Sequence, residues 1–257
     1  MNQGTFLLLG VGHAGGQALE CLVASGLTGF DTVFADTDSV ELSRSLIARK
    51  ICLGSQARRG LGAGGDPEQG RLAAEAEAAA IRQAVSGARM VCIFAGLGGG
   101  TGSGAAPVIA RIARETGALV LGFGATPFPF EGRRRVEEAQ QALNAFKKAA
   151  DAVICISNQR VMRMLHELTP LGELFGHANQ HVVEAFRGLW QALTQPGLLA
   201  VDFAHIEQLF RGRHGESCFA MAEATGEHRG RDVWDRLQQH PFLEQGGVLP
   251  KARALLV

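Results

Sequence analysis

Short, continuous runs of aliphatic and β-branched residues alternate with longer helical patterns between residues 6 and 156. A run without polar alternation is typical of a strand buried on both faces, and strands that alternate with helices form a parallel sheet covered by helices. The sequence therefore predicts an α/β fold with ligand loops at the carboxyl ends of the strands. The predicted strands are 6–9, 32–35, 51–53, 90–94, 118–123 and 152–156.

The last third of the chain has a different pattern. Apolar residues at helical spacing predict a long helix that ends near Pro196-Gly197. These residues are Val182, Val183, Phe186, Leu189, Trp190 and Leu193. A short helix over 202–210, an apolar run at 217–222, a helix over 227–239 and a final apolar run at 252–257 should follow. We expect the two apolar runs to be strands of a small second subdomain.

Composition argues against several classes of function. The 25 basic and 25 acidic residues give a net charge of zero, so no electrostatic footprint for nucleic acid is expected. The five cysteines are widely spaced among mostly apolar neighbours, which favours free thiols in a reducing cytoplasm over disulfides or a metal site. Because no apolar window reaches the length of a membrane helix, we expect neither a signal peptide nor membrane insertion.

Three glycine-rich turns, each ahead of a predicted helix, indicate phosphate binding. They occupy residues 10–17, 59–68 and 96–104. Glycine lets the backbone approach a ligand closely, and successive N–H groups at a helix start form a cradle that favours an anion. Several cradles imply several phosphates. A side chain placed at Gly100 should then exclude the ligand without unfolding the sheet.

The first turn alone allows more than one interpretation. Gly10, Gly12 and Gly15, with Asp36 near the end of the second strand, match a dinucleotide-binding fingerprint, but a tight turn without any ligand has the same pattern. The third turn does not suit a hydride-transfer domain, and it has no lysine for a lysine-containing phosphate loop. Phosphates would therefore be held by backbone groups and by the hydroxyls of Thr101 and Ser103.

The stretch from Gly98 to Gly104 reads Gly-Gly-Gly-Thr-Gly-Ser-Gly and resembles the signature of the tubulin and FtsZ family. Residues 59–64, 127–135 and 196–198 are similar to FtsZ more than to tubulin. The resemblance implies a Rossmann-like, parallel-sheet GTPase domain over 1–179, a central helix over 180–195, and a catalytic-loop segment with a truncated second subdomain over 196–257. It implies GTP or GDP as ligand and leaves open whether Mg²⁺ accompanies it.

Carried over by position, the resemblance assigns residues to each part of a nucleotide. The phosphate group would contact Gly12, Ala14, Gly15, Gly16, Gly64, Gly65, Gly98, Gly99, Gly100, Thr101 and Gly102. Glu131 and Arg135 would contact the ribose. Phe175 would stack on guanine, whose edge would be read by Asn158, Asn179 and Gln17. Taken as residues alone, Phe175 could instead be core filler and Asn158 a helix cap.

Several positions depart from the family pattern. Asp36-Thr37-Asp38 stands where the family has Asn-Thr-Asp, and His13 and Ala14 replace glycines. We expect these changes to reshape the pocket. For His13, an exposed loop residue is the favoured interpretation, with a phosphate contact or a base as alternatives.

The loop that completes catalysis in the family reaches into the pocket of a neighbouring subunit. Residues 200–205 match it and read Ala-Val-Asp-Phe-Ala-His, so Asp202 remains while Ala200 and His205 replace an asparagine and an acid. Asp202 and His205 are thus the catalytic candidates. We expect a slow GTPase that assembles with itself or with a complete FtsZ homologue. A non-hydrolysing regulatory subunit is the alternative, and an NAD-dependent oxidoreductase is the weakest one.

Overall fold

The computed structural model describes residues 5–55, 60–166, 169–195 and 201–256. Its centre is one seven-stranded sheet in the order β3-β2-β1-β4-β5-β6-β7, and every neighbouring pair is parallel. The strands are β1 (Thr5–Val11), β2 (Asp31–Asp36), β3 (Arg49–Cys52), β4 (Ala88–Gly96), β5 (Leu119–Thr126), β6 (Ala152–Ser157) and β7 (Gly215–Ser217). The predicted α/β class is confirmed, and all six predicted strands are present with longer or slightly shifted ends.

Helices cover both faces of this sheet. They are α1 (Gly12–Ala24), α2 (Ser39–Arg44), α3 (Pro67–Ala76), α4 (Ala78–Val85), α5 (Gly100–Glu115), α6 (Arg133–Ala149), α7 (Asn158–Met164), α8 (Leu171–Thr194), α9 (Phe203–Phe210) and α10 (Arg229–Gln238). Leu7 and Leu9 face the layer of α3 to α6, whereas Leu8 faces α1 and α8. Because both faces are buried, the strands need no polar alternation.

The long helix predicted over 180–195 is present, but it begins earlier. Helix α8 spans 24 residues from Leu171 to Thr194 and buries one apolar stripe against the sheet. Phe186 and Trp190 stack in this stripe with ring centroids 5.8 Å apart. The helix starts directly after Pro170, which suits a proline just outside the first turn. The short helices predicted over 202–210 and 227–239 correspond to α9 and α10.

The strands predicted at 217–222 and 252–257 are wrong for the described residues. Only Ser217 of the first run is in a strand, and 252–256 lie outside any strand. The observed strand β7 instead pairs with β6. Buried Asp151 fixes the segment that leads into β7, because its Oδ1 accepts a hydrogen bond from the Gly212 N–H at 2.8 Å. The apolar residues that follow have no strand beside them in the described part, and a strand needs such a partner.

Some predicted features lie outside the described residues, namely Arg59 of the second glycine turn, the Pro196-Gly197 helix end and Ala200 of the catalytic loop. Among the helices that the structure does describe, none has the length and apolar character to cross a membrane.

Candidate functional site

The candidate site lies at the carboxyl ends of β1 and β4, which are neighbours at the centre of the sheet. From β1 the chain moves outward through β2 to β3, whereas from β4 it moves the other way through β5 to β6. The connections after these two strands therefore diverge. A crevice opens at such a switch point and is the usual ligand position in a doubly wound sheet.

The first and third glycine turns meet in this crevice. Gly12 begins α1 directly after β1 with φ +70°, and a Cβ added there would lie 3.1 Å from the Gly102 nitrogen. Left-handed backbone and close approach both require glycine at this position. The Thr37 and Thr101 hydroxyl oxygens are 2.6 Å apart, so the end of β2 joins the same cluster. Sequence reasoning assigned no role to Thr37, although it directly follows the buried end of β2.

The helices that start in the crevice keep their first N–H groups available. The N-cap residues of α1 and α5, Val11 and Gly99, provide no side-chain acceptor, and neither first turn contains an acid. By contrast, Asp38 caps α2 and Asp66 caps α3. Uncapped N–H groups and the positive end of the helix dipole favour an anion, so two such helix starts side by side can hold a polyphosphate.

Most glycines of the first and third turns serve packing as well as any ligand. A Cβ at Gly15 would collide with the Phe94 carbonyl, one at Gly16 with the Phe34 ring, and one at Gly102 with the Gly96 carbonyl. The exposed Ala14 also packs here, since a Cβ at Gly96 would meet its methyl group at 2.7 Å. These glycines let α1 and α5 lie against the strands.

Three predicted phosphate glycines instead face open space. A Cβ at Gly64, Gly65 or Gly99 would meet no atom within 4 Å. Gly64 and Gly65 have positive φ, whereas Gly99 has φ −110°, which any residue can adopt. The prediction that a side chain at Gly100 would leave the fold intact is wrong, because its Cβ would lie 2.7 Å from the Ala63 methyl and 2.9 Å from the Asp66 nitrogen.

Helices α3 and α5 touch backbone to backbone beside the cradle. A Cβ at Gly70 would collide with the Gly100 carbonyl, and one at Gly104 would collide with the Pro67 carbonyl. The buried Ser103 Oγ accepts a hydrogen bond from the Gly98 N–H at 2.8 Å and so fixes the third turn. The second and third turns are therefore held in one rigid arrangement.

Glu131 and Arg135, the predicted ribose pair, form an ion pair at the start of α6. The Arg135 Nη1 donates to Glu131 Oε2 at 2.6 Å, while Glu131 Oε1 accepts the Phe128 N–H at 2.8 Å. This places the carboxylate against the 3₁₀ turn Pro129–Glu131. A Cβ at Gly98 would lie 2.7 Å from the Arg135 carbonyl, so the pair borders the third turn.

The predicted base-stacking residue is presented to solvent. Phe175 on α8 is 45% exposed, which excludes core filler. The Phe175 ring packs edge-on against buried Phe128, with ring centroids 5.2 Å apart. Phe130 in turn stacks on the Phe128 ring at 5.1 Å. An exposed ring supported in this way offers a flat surface for a planar ligand.

Asn158 is buried at the start of α7 and does not cap the helix, so that alternative is wrong. The cap is Ser157, whose Oγ accepts the Arg160 N–H at 3.4 Å. Asn158 is only 6% exposed, and its Oδ1 finds no hydrogen-bond donor among the described residues. An unpaired buried acceptor costs about 1–3 kcal/mol, which indicates a polar partner from outside the described part of the chain.

Two further amides predicted to read the base lie on facing helices. The Asn179 Nδ2 on α8 donates to the Gln17 Oε1 on α1 at 3.4 Å. Both side chains are partly or fully exposed, so this long hydrogen bond can be exchanged for one to a ligand.

Asp36 does not offer the carboxylate that a dinucleotide fingerprint requires. It is 3% exposed, its Oδ1 accepts the Asp38 N–H at 3.2 Å, and burial raises the pKa of its carboxyl group. A carboxylate buried in this way cannot reach a ribose hydroxyl, which weighs against a nicotinamide cofactor.

His13 lies in the first turn of α1 rather than in a loop, and it is exposed as expected. Its Nδ1 is 2.6 Å from Glu41 Oε2 on α2. The other oxygen of that carboxylate is 3.7 Å from Arg44 Nη1.

Asp202 and His205 form a capping box at the start of α9. The Asp202 Oδ1 accepts the His205 N–H at 3.0 Å, and the His205 Nδ1 accepts the Asp202 N–H at 3.2 Å. The ring Nδ1 is also 2.9 Å from Asp202 Oδ1, so this ring nitrogen is engaged within the capping box. Both side chains are exposed.

This capping box lies at the amino ends of the strands, here called the amino edge of the sheet, whereas the glycine turns lie at the carboxyl ends, the carboxyl edge. Phe203, between the two candidates, packs against Phe6 at 5.9 Å, and the Arg89 guanidinium lies 4.2 Å over its ring. Phe6 and Arg89 are at the amino ends of β1 and β4, and Gly12 lies six residue steps beyond Phe6, a distance of ~20 Å along the strand. The structure therefore does not bring the catalytic candidates to the pocket of the same chain.

Within the described ranges, no group of three or more His, Cys, Asp or Glu side chains is arranged to hold a metal ion.

The chain matches the model of the Tubulin/FtsZ family, GTPase domain, over residues 5–166. It is 39% identical to cell division protein FtsZ of Caulobacter vibrioides (strain NA1000 / CB15N) over 251 residues, which cover 98% of this chain and 49% of the relative. The FtsZ of Rickettsia felis is 38% identical over 253 residues, with 98% and 56% covered. The chain thus spans about half the length of the curated relatives it matches.

Solved structures with the same architecture include an empty FtsZ dimer from M. jannaschii. It has a TM-score of 0.86 and 33% identity, with 94% of this chain and 70% of that chain covered. A GTPγS-bound protofilament of CetZ2 from Haloferax volcanii has a TM-score of 0.74 and 27% identity, with 86% and 67% covered.

Proposed function

The chain belongs to the Tubulin/FtsZ family, GTPase domain, and from this premise we propose that it binds GTP and GDP at the β1–β4 crevice and assembles head to tail, with slow hydrolysis. The observation that carries the assembly is the separation of the glycine turns from Asp202 and His205 by the length of β1. A complete catalytic site then needs the amino edge of one copy against the carboxyl edge of the next.

The crevice has the groups that a guanine nucleotide requires. The uncapped starts of α1 and α5 would hold the inner phosphates, and Gly64 and Gly65 leave room for the terminal one. Arg135 and Glu131 would contact the ribose. A Mg²⁺ ion would be held mainly by phosphate oxygens and water, since such ions usually take few protein ligands.

Base selection rests on the unpaired Asn158 Oδ1. Guanine presents N–H donors on its Watson–Crick edge, so it can pair with a buried acceptor of this kind. Asn179 and Gln17 would provide further amide groups, and Phe175 would stack on the ring. Adenine would leave some of these amides unpaired, at a cost of about 1–3 kcal/mol. GTP is therefore favoured over ATP.

The amino edge has a surface suited to a second copy. A groove of about 580 Å³ is lined there by Phe6, Trp190 and residues 26–29. It lies beside the Asp202–His205 capping box, because Phe6 contacts both Trp190 and Phe203. Identical chains joined edge to edge in this way form an open head-to-tail filament.

Slow turnover follows from His205. An acid at this position could orient water, but an imidazole carries no negative charge and its Nδ1 is engaged with Asp202 in the capping box, so it does not replace the lost carboxylate. Asp202 keeps an exposed carboxylate for the neighbouring pocket. Loss of one positioned acid or base commonly costs about 10² to 10⁴ in rate.

The test is GTP turnover as a function of protein concentration, after the copurified nucleotide has been identified. We expect turnover per chain to rise with concentration, and His205→Asp to increase it. Asp202→Asn preserves the N-cap, because asparagine caps as well as aspartate, so its loss of activity would be chemical rather than structural. Copurified NAD, or no bound guanine nucleotide, would refute the ligand assignment.

A mixing experiment separates assembly from chemistry within one chain. Asp202→Asn has an intact pocket, and Gly99→Ala has an intact capping box but an obstructed cradle. When the two variants are mixed, part of the wild-type turnover should return, because the intact pocket of an Asp202→Asn copy meets the unchanged Asp202 of a Gly99→Ala copy. No recovery, together with concentration-independent turnover in the wild type, would show that catalysis does not cross between copies.

A second candidate is a non-hydrolysing subunit that caps or joins filaments of a complete homologue. The replacement of an acid by His205 favours it. Guanine-nucleotide binding with no turnover at any concentration, and none in His205→Asp, would select this function.

A further inference from the structure

The three glycine turns lack a permanent cation among their described residues. Residues 10–17, 60–68 and 96–104 contain no lysine or arginine, and His13 is the single basic side chain among them. A nucleoside diphosphate or triphosphate carries several negative charges, which neutral N–H groups and hydroxyls stabilise without neutralising. A protonated imidazole at this position would therefore be the nearest positive charge in the turns themselves.

The position of His13 supports such a contact. It occupies the first turn of α1, next to Gly12, whose added Cβ would lie 3.1 Å from the Gly102 nitrogen. Its side chain is 62% exposed, so no packing role accounts for it. An anion held by the free N–H groups of this turn is within reach of a side chain that starts from the same turn.

Glu41 fixes the imidazole. Its Oε2 is 2.6 Å from His13 Nδ1, while no hydrogen bond from the described residues involves Nε2. Arg44 shares the Glu41 carboxylate at 3.7 Å, and a second acid, Asp38, is the N-cap of the same helix. A carboxylate at Nδ1 orients the ring and leaves Nε2 for a ligand.

We propose that His13 and Glu41 form a proton-linked phosphate contact, in which the charged imidazole donates from Nε2 to a nucleotide phosphate. This proposal rests on the proposed guanine-nucleotide site. Independent support for that site is the unpaired Asn158 Oδ1, at the end proposed to hold the base. Binding of the phosphates raises the proton occupancy of His13, so nucleotide binding takes up protons near neutral pH. Glu41 is a positioning residue because it acts through His13.

The test is calorimetry of GDP binding to the full chain at pH 7, in two buffers with different ionisation enthalpies. The difference between the two measured enthalpies gives the number of protons taken up. The wild type should take up a fraction of a proton, and His13→Gln should take up less. The His13→Gln variant should also bind GDP about 3- to 5-fold more weakly, as expected for one exposed charge contact. Glu41→Gln should weaken GDP binding in the same direction as His13→Gln, since it removes the carboxylate that orients the ring.

Two controls define the meaning of the result. His228→Gln replaces an exposed histidine at the start of α10, far along the chain, and should change neither affinity nor proton uptake. Guanosine without phosphates should bind wild type and His13→Gln equally. Thermal unfolding of the free variants should match the wild type, which excludes a folding effect.

Three outcomes would overturn the inference. Tight GDP binding with equal proton uptake in wild type and His13→Gln would show that the pair only links α1 to α2, while the proposed site would stand. An equal loss of guanosine affinity in His13→Gln would show a structural effect. If the wild type bound no guanine nucleotide, the proposed function would fail and this contact with it.

Discussion

Gly99→Ala should separate ligand binding from folding at the phosphate cradle. A Cβ at Gly99 meets no atom within 4 Å, and the backbone at φ −110° accepts any residue. The folding cost is then the weaker N-cap alone, about 0.5–1 kcal/mol. For a chain of this size, that lowers the melting temperature by about 1–4 °C.

Binding should respond far more strongly, because the methyl group would occupy the open side of the cradle. Loss of one hydrogen bond from an N–H group to a charged phosphate costs about 1.5–3 kcal/mol, or roughly 10- to 100-fold in GDP affinity. Calorimetric titration with GDP and thermal unfolding measure the two effects on the same samples. Gly230→Ala in α10, where a Cβ also meets open space, is the matched control: it should leave GDP affinity unchanged and raise stability slightly, since alanine is the better helix former.

Gly100→Ala provides the contrast. Its Cβ would lie 2.7 Å from the Ala63 methyl, so overpacking should destabilise the fold by about 1–3 kcal/mol even without nucleotide. The reasoning is refuted if Gly99→Ala binds GDP with wild-type affinity, or if Gly99→Ala unfolds at a lower temperature than Gly100→Ala.

Two further predictions concern polar groups away from the cradle. Asn158→Ala should leave the stability of the free protein nearly unchanged, because it removes an unpaired acceptor, yet reduce GDP-over-ADP discrimination by about 1–3 kcal/mol in a competition assay; unchanged discrimination would contradict this. Burial lowers the pKa values of His181 and His240, so the unfolded chain binds more protons in acid. The stability gained by burying these two neutral rings is fully present above pH ~6.5 and is lost as the pH falls through the depressed folded-state pKa values. Thermal unfolding at several pH values should show this slope, and His240→Gln should reduce it.

The sequence predicts the sheet well because its strands are continuously apolar, which is a local property. The run at 217–222 is equally apolar, but whether it becomes a strand depends on a neighbour, and Asp151 instead directs residues 215–217 to β6. Local periodicity does not determine which distant segments pair as strands.

The roles of individual site residues were harder to predict. Gly15 and Gly99 look alike in sequence, yet a Cβ at the first would collide with the Phe94 carbonyl while one at the second faces open space. Only the distance between α1 and β4 distinguishes them. The part played by Thr37 depends likewise on a hydroxyl 64 positions away, Thr101, and the pairing of His13 with Glu41 depends on how α1 and α2 meet.

The backbone contact between α3 and α5 has a mechanical consequence. Side chains between two helices can change rotamer and absorb a small displacement, but Gly70 and Gly104 leave no side chain there to do so. If Gly64 and Gly65 moved after loss of a terminal phosphate, α3 and α5 would move together as one rigid body. The displacement would reappear undamped at the far ends of the two helices, near Ala76 and Glu115.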